Sequence, residues 1–173
     1  DNHSIAILIQ KSDEHYYNVC INSLQGVKWP DGYQIEVHTV EKGDNFSAQM
    51  NYILEQIHAK YKVYIDERMY LIAPDFLRNI IDIFQDKSIG MIGFLGSASL
   101  PVSGNLMDSS YKCGAVYVPS DEDFSEMRFG EARGGVADVR CLLPSFFATQ
   151  RDVVWDESYE KQYYAVLAHC RAM

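Results

Sequence analysis

The sequence predicts an α/β fold in which helices cover both faces of a mostly parallel sheet. Short apolar runs such as SIAILIQ at 4–10 are typical of strands that are buried on both faces. These runs alternate with segments of helical periodicity from residue 4 to residue 96, which is the order that a parallel sheet requires. The chain has 173 residues, 47% of them hydrophobic, so we expect residues 1–173 to form one domain with a sizeable core.

The first half of the chain alternates regularly between the two kinds of element. The turn chemistry of WPDGY at 29–33 separates a helix from a strand, and Phe46, Met50 and Ile53 repeat with a helical period. The predicted elements are, in order, a strand at 4–10, a helix at 12–24 with Ser12 as its N-cap, a strand at 33–40, a helix at 46–59 and a strand at 61–65.

A buried helix and a fourth strand come next. Pro74 suits the first turn of a helix, and the residues after it are apolar around much of the helix circumference. The run IGMIGFLG at 89–96 predicts a strand with glycines at its end, where backbone or ligand comes close.

The pattern is looser beyond residue 97. The polar, acidic stretch at 119–135 predicts a long loop, which is either an ordinary solvated loop or a lid. The apolar segment at 136–150 predicts strand structure that Pro144 interrupts. After a strand end or turn at Trp155, the chain predicts a helix with Tyr159, Tyr163, Val166 and Leu167 on one side.

The charge balance limits the partners. The chain has 15 Lys+Arg and 24 Asp+Glu, and its net charge of -9 works against binding to nucleic acid or to anionic lipid surfaces. An anionic ligand would need a divalent cation, helix amino termini or a local basic cluster. The four cysteines form no CxxC pair and are expected to be free thiols in a reducing compartment. Because no apolar run approaches the ~20 residues of a membrane span, and none resembles a signal peptide, we expect a soluble, cytoplasmic protein.

Three consecutive charged residues, Asp66, Glu67 and Arg68, follow the strand at 61–65. Ligands of open α/β sheets bind at the carboxyl ends of the strands. Two carboxylates there can hold Mg²⁺ or Mn²⁺ against a diphosphate, because these cations share their remaining positions with phosphate and water oxygens. Asp66 and Glu67 are therefore candidate metal ligands. The alternative is that Asp66 only ends the strand, while Glu67 and Arg68 are solvated.

Residues 33–96 resemble a family 2 type glycosyltransferase of the GT-A fold, in which a DxD-like acidic motif ends a strand after a helix that bears an Asn. Asp66 and Asn51 stand at the matching positions. The segments KYKVYI, IIDIF, IGMIGFLG and FFATQRDVVWDES look like a bacterial glycosyltransferase-like subfamily, so that the resemblance covers most of residues 4–160. It implies a GT-A-like three-layer α/β/α sandwich that binds a nucleotide-sugar donor and a saccharide acceptor.

The chain departs from that subfamily where acids are expected. The usual His-Gln-Asp is replaced by Asp66, Glu67 and Arg68, and Arg68 cannot ligate a cation but can neutralise a diphosphate through bidentate hydrogen bonds. An expected Ile-Asp-Gly is replaced by LLP at 142–144, and an expected Tyr-Asp by YA at 164–165. Two hypotheses follow: an active enzyme of bacterial surface polysaccharide synthesis, or a degenerate module that binds nucleotide or carbohydrate without turnover.

The resemblance implies a role for each candidate residue. Glu157 is the first candidate for the base that removes the acceptor proton and Asp156 the second, although such an acid pair is also common as a helix N-terminal cap. The candidates for nucleotide-sugar binding are Asp66, Glu67 and Arg68 for the leaving diphosphate, Glu41 for the base or ribose, Gln10 as a weaker candidate, and Asn51 to orient backbone near the third strand.

An unrelated α/β phosphotransferase or a flavodoxin-like binding protein is a third hypothesis. Such proteins carry a glycine-rich phosphate loop after the first strand. The stretch SIAILIQKSDEHYY contains no glycine, which argues against this hypothesis.

Overall fold

The structure is a computed structural model that describes residues 3–119, 123–130 and 135–173. Its first half alternates strands and helices in the predicted order. The elements are β1 (Ser4–Lys11), α1 (Glu14–Ser23), β2 (Gln34–Glu41), α2 (Phe46–Gln56), β3 (Tyr61–Asp66), α3 (Phe76–Ile83), β4 (Met91–Gly93), β5 (Leu95–Ser97), β6 (Lys112–Pro119), β7 (Phe124–Phe129), β8 (Cys141–Leu142), β9 (Phe146–Thr149) and α4 (Gln162–Cys170).

The strands form two sheets. The larger sheet has five strands in the order β2-β1-β3-β9-β4, with β1 parallel to both β2 and β3. Strand β9 is antiparallel to both of its neighbours, β3 and β4. The smaller sheet has four antiparallel strands in the order β7-β6-β5-β8. The predicted α/β fold with a mostly parallel sheet is confirmed, with one antiparallel strand inserted in it.

Helices cover both faces of the larger sheet. Successive side chains of a strand point to opposite faces, so each strand contacts both helix layers. Ile5, Ile7 and Ile9 of β1 pack in one cluster with residues of α1 and α3. Ala6 and Leu8 pack in a second cluster with residues of α2 and α4. This burial on both sides explains the continuous apolar run of β1 and gives the three layers.

The predicted fourth strand, 89–96, is wrong as a single strand. Its first part is β4 in the larger sheet and its second part is β5 in the smaller sheet, with Phe94 between them. Gly93 and Gly96 lie on either side of this change of sheet. A Cβ at either position would lie only 3.1 Å from a side-chain carbon of Leu142, so the chain passes close to Leu142 here because both residues lack a side chain. The glycines thus serve close packing where the chain changes sheets.

The predicted loop at 119–135 is also wrong in part. Strand β7 lies within it and pairs with β6, while residues 120–122 and 131–134 are outside the described residues. Five of the six β7 residues are exposed, so this edge strand has no buried face to produce an alternating apolar pattern. Pro144 does interrupt strand structure as predicted, because it lies between β8 and β9.

Several helix boundaries differ from the predicted ones. The N-cap of α1 is Asp13 rather than Ser12, and its Oδ1 accepts hydrogen bonds from the amides of His15 (2.9 Å) and Tyr16 (3.1 Å). Helix α2 ends at Gln56, three residues before the predicted end at 59. Helix α3 begins two residues after Pro74, and α4 begins three residues after Tyr159. Ends are set by capping contacts that periodicity does not record.

Candidate functional site

A cleft of about 470 Å³ opens at the carboxyl ends of β1 and β2, beside the first residues of α4. Its size lies within the range of small-molecule sites, and its place is where open α/β sheets bind ligands. The walls are residues 10–12, 41–44 and 160–162, together with Phe46. Two strand ends and one helix start therefore converge on a single cavity.

Gln10 and Glu41, which were predicted to contact a nucleotide, both line this cleft. The parallel register places them together, because Gln10 pairs with Val40 and Lys11 pairs with Glu41. The Glu41 side chain is exposed, and one of its oxygens lies 3.9 Å from the Lys11 ammonium. The same ammonium lies 2.7 Å from Glu14, and this hydrogen bond raises the pKa of Lys11 above its ordinary value.

Asp66 lies at the end of β3, next to the cleft. Its side chain lines a small cavity of about 20 Å³ that shares Gln10, Phe46 and Gln162 with the larger cleft. Its Oδ1 accepts a hydrogen bond from the amide of Arg68 (2.9 Å). The structure thus brings Asp66 to the same edge of the sheet as Gln10, its register partner on β1.

Glu67 is buried, and its carboxylate joins the end of β3 to the turn between β1 and α1. Its oxygens accept hydrogen bonds from the amide (2.6 Å) and hydroxyl (2.5 Å) of Ser12 and from the amide of Asp13 (2.9 Å). Burial by itself raises the pKa of Glu67, but these hydrogen bonds outweigh it and hold the pKa below its ordinary value. The contacts give Glu67 a structural role, and ligand binding by Glu67 stays a prediction.

Arg68 is exposed and turns toward α1. Its guanidinium carbon lies 5.4 Å from the centroid of the Tyr16 ring, a cation–π arrangement. Arg68 lines neither the cleft nor the small cavity. Contact between Arg68 and a diphosphate therefore stays a prediction, and it would require the side chain to leave Tyr16.

The donor atoms at this edge do not fit the predicted two-carboxylate metal site. The Glu67 oxygens are engaged by Ser12 and Asp13, which leaves Asp66 as the carboxylate of the pair that lines a cavity. Among residues 3–119, 123–130 and 135–173 there is no group of three or more His, Cys, Asp or Glu side chains that could hold a metal ion. A cation at Asp66 would depend on oxygens of the ligand and of water for its other positions.

Asn51 holds the segment that carries the candidate base. Its Nδ2 donates to the carbonyl of Trp155 (3.0 Å), and its Oδ1 accepts from the amide of the same residue (2.8 Å). The same Nδ2 also donates to Oε1 of Glu157 (2.9 Å). Asn51 thus holds the backbone of Trp155 and not that of β3, and its role in nucleotide-sugar binding stays a prediction.

Asp156 and Glu157 are both exposed, and neither lines the cleft, although Glu160 of the same segment does. Oδ1 of Asp156 accepts hydrogen bonds from the hydroxyl (2.7 Å) and amide (3.0 Å) of Ser158, which lower the pKa of Asp156. A lowered pKa makes a carboxylate a weaker base. Because the N-cap of α4 is Lys161, neither acid caps that helix. Catalysis by Glu157 or Asp156 stays a prediction.

Sequence reasoning missed several residues of the cleft. Lys42 follows the end of β2, so the carboxyl-end argument that selected Asp66 could have found it. Lys161 and Gln162 lie at the start of α4, far along the chain, and no local signal connects them to β1. Ser12 also lines the cleft, and its position at the end of β1 was the available signal.

The fold and cleft define an α/β protein with a cavity at the carboxyl edge of its larger sheet. The sequence from residue 6 to residue 173 matches the model of a family described as "Glycosyltransferase like family". The chain therefore belongs to this glycosyltransferase-like family, and the resemblance predicted from the sequence is confirmed. A search of curated proteins found no match to the chain. Within the described residues, no helix is both long enough and apolar enough to span a membrane.

Proposed function

We infer that the chain transfers a sugar from a nucleotide-sugar donor to a saccharide or other hydroxyl-bearing acceptor, in the cytoplasm and for bacterial surface polysaccharide. The observation that carries this proposal is the cleft of about 470 Å³ where Gln10 and Glu41 meet the start of α4. Family membership supports the reaction class. The resemblance to sugar-nucleotide enzymes supports the donor.

The proposed transfer has one bond formed and one broken. The acceptor hydroxyl oxygen bonds to the anomeric carbon, while the bond from that carbon to the diphosphate oxygen breaks and the nucleoside diphosphate leaves with the electron pair. We assign the hydroxyl proton to Glu157, which Asn51 holds at 2.9 Å. Because Glu157 does not line the cleft, this assignment requires the acceptor to bind beside the cleft, next to the segment whose Glu160 does line it.

Asp66, which lines the small cavity adjoining the cleft at the end of β3, is the residue that we propose to stand next to the donor. A Mg²⁺ or Mn²⁺ ion would find Asp66 as the one available carboxylate of the predicted pair, so no step of the proposed transfer is routed through a metal ion.

A panel of nucleotides and sugar donors tests this proposal. We expect at least one of UDP, GDP and dTDP to raise the thermal unfolding midpoint, since a ligand that binds the folded state stabilises it. The matching sugar donor should be consumed in the presence of a saccharide acceptor, with or without Mn²⁺. Asp66→Ala should weaken nucleotide binding. Absence of a shift with all three nucleotides would overturn the proposal.

The second candidate function is binding of nucleotide or carbohydrate without turnover. The observation that favours it is the lining of the small cavity beside Asp66. Pro144 lines that cavity, and it belongs to the stretch 142–144 that replaces an expected acid-bearing motif. Nucleotide binding without consumption of any donor in the panel would support this second function over the first.

A further inference from the structure

Two lysines of the cleft form no ion pair with any residue that the structure describes. Lys42 follows β2 and Lys161 precedes α4, and both side chains are exposed in residues that line the same cavity. Within the described part of the chain, neither ammonium forms an ion pair. Lys11, the third lysine of the cleft, is by contrast paired with Glu14 and Glu41. The cleft therefore offers two uncommitted positive charges in a chain whose net charge is -9.

Acidic groups face the same cleft and must be counted. Glu41, Asp44 and Glu160 line it, and Glu41 is near Lys11. These carboxylates repel a phosphate but accept hydrogen bonds from ribose or sugar hydroxyls. A ligand that carries both hydroxyls and phosphates matches this mixed lining, provided that its phosphates lie against the lysines.

Two other sources of positive charge are possible at this edge, Arg68 and a metal ion on Asp66 and Glu67, and neither is positioned in the cleft. Arg68 lies against Tyr16 and lines neither cavity. The Asp66–Glu67 pair does not present two available carboxylates to a metal ion, because Ser12 and Asp13 engage Glu67. A diphosphate in the cleft still requires cationic partners, since an unpaired anion loses hydration without compensation.

We propose that Lys42 and Lys161 together bind the diphosphate of the nucleotide ligand and take the place of a divalent metal ion. This inference rests on the proposed function. It assigns the ammonium groups as charge-assisted donors to phosphate oxygens from two elements that line the cleft, Lys42 after β2 and Lys161 before α4. Glu41 remains available for the hydroxyls of the ribose or sugar.

Calorimetry with the full chain tests the proposal. UDP, GDP and dTDP are titrated into the EDTA-treated protein and compared with the uncharged nucleosides uridine, guanosine and thymidine. We expect Lys42→Gln and Lys161→Gln each to weaken diphosphate binding by about tenfold, as expected for a hydrogen bond to a charged group. Nucleoside binding should stay within about twofold of the parent value, a factor well below the tenfold step.

Lys28→Gln is the matched control because it removes the same charge from an exposed lysine that lies outside the cleft and pairs with Asp75. It should leave diphosphate affinity unchanged. Added salt should weaken diphosphate binding to the parent more than to the double variant, since salt screens exposed charges. Circular dichroism verifies that each variant is folded.

Two outcomes overturn this inference alone. One is unchanged diphosphate binding in both lysine variants, and the other is a diphosphate affinity that Mn²⁺ increases more than tenfold over the EDTA-treated state. In both, the parent still binds nucleotide and the proposed function stands. Failure of the parent chain to bind any of the three nucleotides overturns the proposed function together with the inference.

Discussion

Single side chains at the carboxyl edge of the sheet combine structural and ligand-facing roles. Glu67 and Asp66 are neighbours in sequence, yet one is buried under Ser12 and Asp13 while the other lines a cavity. Asn51 uses its whole carboxamide on Trp155 and Glu157. At this scale, a residue's role depends on which hydrogen bonds its polar atoms have already formed.

Asn51→Ala tests the positioning role of the carboxamide. The amide and carbonyl of Trp155 lose their partner, so we expect the free energy of unfolding to fall by about 1–3 kcal/mol. If Glu157 is the base, kcat should fall by about 100-fold, because the base is no longer held in place. The KM for the donor should change little.

Tyr52→Ala is the control for this change, since Tyr52 is the next residue of α2 and is 64% exposed. It should affect neither stability nor kcat. Chemical denaturation and steady-state kinetics measure the two effects. Loss of stability in Asn51→Ala with kcat unchanged would show that Glu157 does not depend on this contact.

Glu67→Gln tests the buried carboxylate. We expect the free energy of unfolding at neutral pH to fall by about 1–3 kcal/mol, because charge-assisted hydrogen bonds to Ser12 and Asp13 are weakened. Since the pKa of Glu67 is lowered in the folded state, its stabilisation is present above the unfolded pKa of about 4.3 and is lost as pH falls through the folded value.

The difference in the free energy of unfolding between the parent and Glu67→Gln should therefore become smaller below about pH 4. Urea unfolding across this pH range measures it. Glu55→Gln makes the same chemical change at an exposed position of α2 and should cost little. A difference that is constant from neutral to acid pH would contradict the assigned cause.

At the scale of elements, the chain passes from the larger sheet to the smaller one at Phe94, where two backbone segments lie in close contact. The carbonyl of Phe94, between β4 and β5, lies against Gly114 of β6. Gly114 has φ of +131°, a conformation that favours glycine. The joint between the two sheets therefore depends on one residue without a side chain.

Gly114→Ala should destabilise the protein severely. Its Cβ would meet the Phe94 carbonyl oxygen far inside contact distance, in addition to the strain of the positive φ. We expect a loss of about 4 kcal/mol or more, or failure to fold. Gly104→Ala separates the two causes, because Gly104 also has a positive φ (+74°) but no atom within 4 Å of a Cβ.

Thermal unfolding of both variants measures this difference. Gly104→Ala should lower stability by only about 1–2 kcal/mol, the cost of the backbone conformation alone. Equal losses in the two variants would mean that the contact with Phe94 contributes nothing.

Helix α4 meets the 155–160 segment through a stacked pair of rings. His169 of α4 is 4% exposed, and its ring lies parallel to that of Trp155 with 3.6 Å between centroids. Burial lowers the pKa of His169 to about 4. This contact fixes the segment that leads into the cleft residues Glu160 and Lys161.

Acid should therefore lower the free energy of unfolding through protonation of His169. Its pKa is lower in the folded state than in the unfolded state, so the unfolded state takes up the proton first as pH falls below about 6.5. We expect this residue to reduce the free energy of unfolding by about 2 kcal/mol at about pH 5. In His169→Phe, which keeps a ring on Trp155, this part of the pH dependence should disappear. The same acid sensitivity in both proteins, measured by urea unfolding, would contradict the assignment.

For the whole molecule, the two sheets exchange chain and share a helix. Consecutive strands β4 and β5 belong to different sheets, as do β8 and β9. Helix α4 packs Ala165 and Val166 in the cluster of the larger sheet and Leu167 in the cluster of the smaller one. Neither sheet can unfold without removing packing from the other.

We therefore expect a single cooperative unfolding transition, as a one-domain chain would show. Far-ultraviolet circular dichroism reports both sheets. The change in tryptophan fluorescence on unfolding should come mainly from Trp155, which is buried in the cluster of the larger sheet, because the other tryptophan, Trp29, is already 49% exposed. The two signals should give coincident denaturation curves. Two separated transitions would show that the sheets unfold independently and would contradict the single-domain prediction.

The sequence by itself determined the first three strands and the residues at their ends. Periodicity is a local property: β1 and β3 are buried and leave continuous apolar runs, whereas the edge strand β2 is mostly exposed and was found from its alternating residues and the turn before it. The rule that ligands bind at carboxyl ends then selected Asp66, which lines the small cavity, and the family resemblance selected Gln10 and Glu41, which line the cleft.

Tertiary structure alone decided which polar groups are engaged in hydrogen bonds and which line the cleft. Glu67 is engaged by Ser12 across 55 positions of sequence, and Glu157 is held by Asn51 across 106. Lys161 reaches the cleft because α4 packs on the face of the sheet that α2 also covers. Such contacts leave no trace in local composition, since each depends on the spatial order of strands and helices rather than on neighbouring residues.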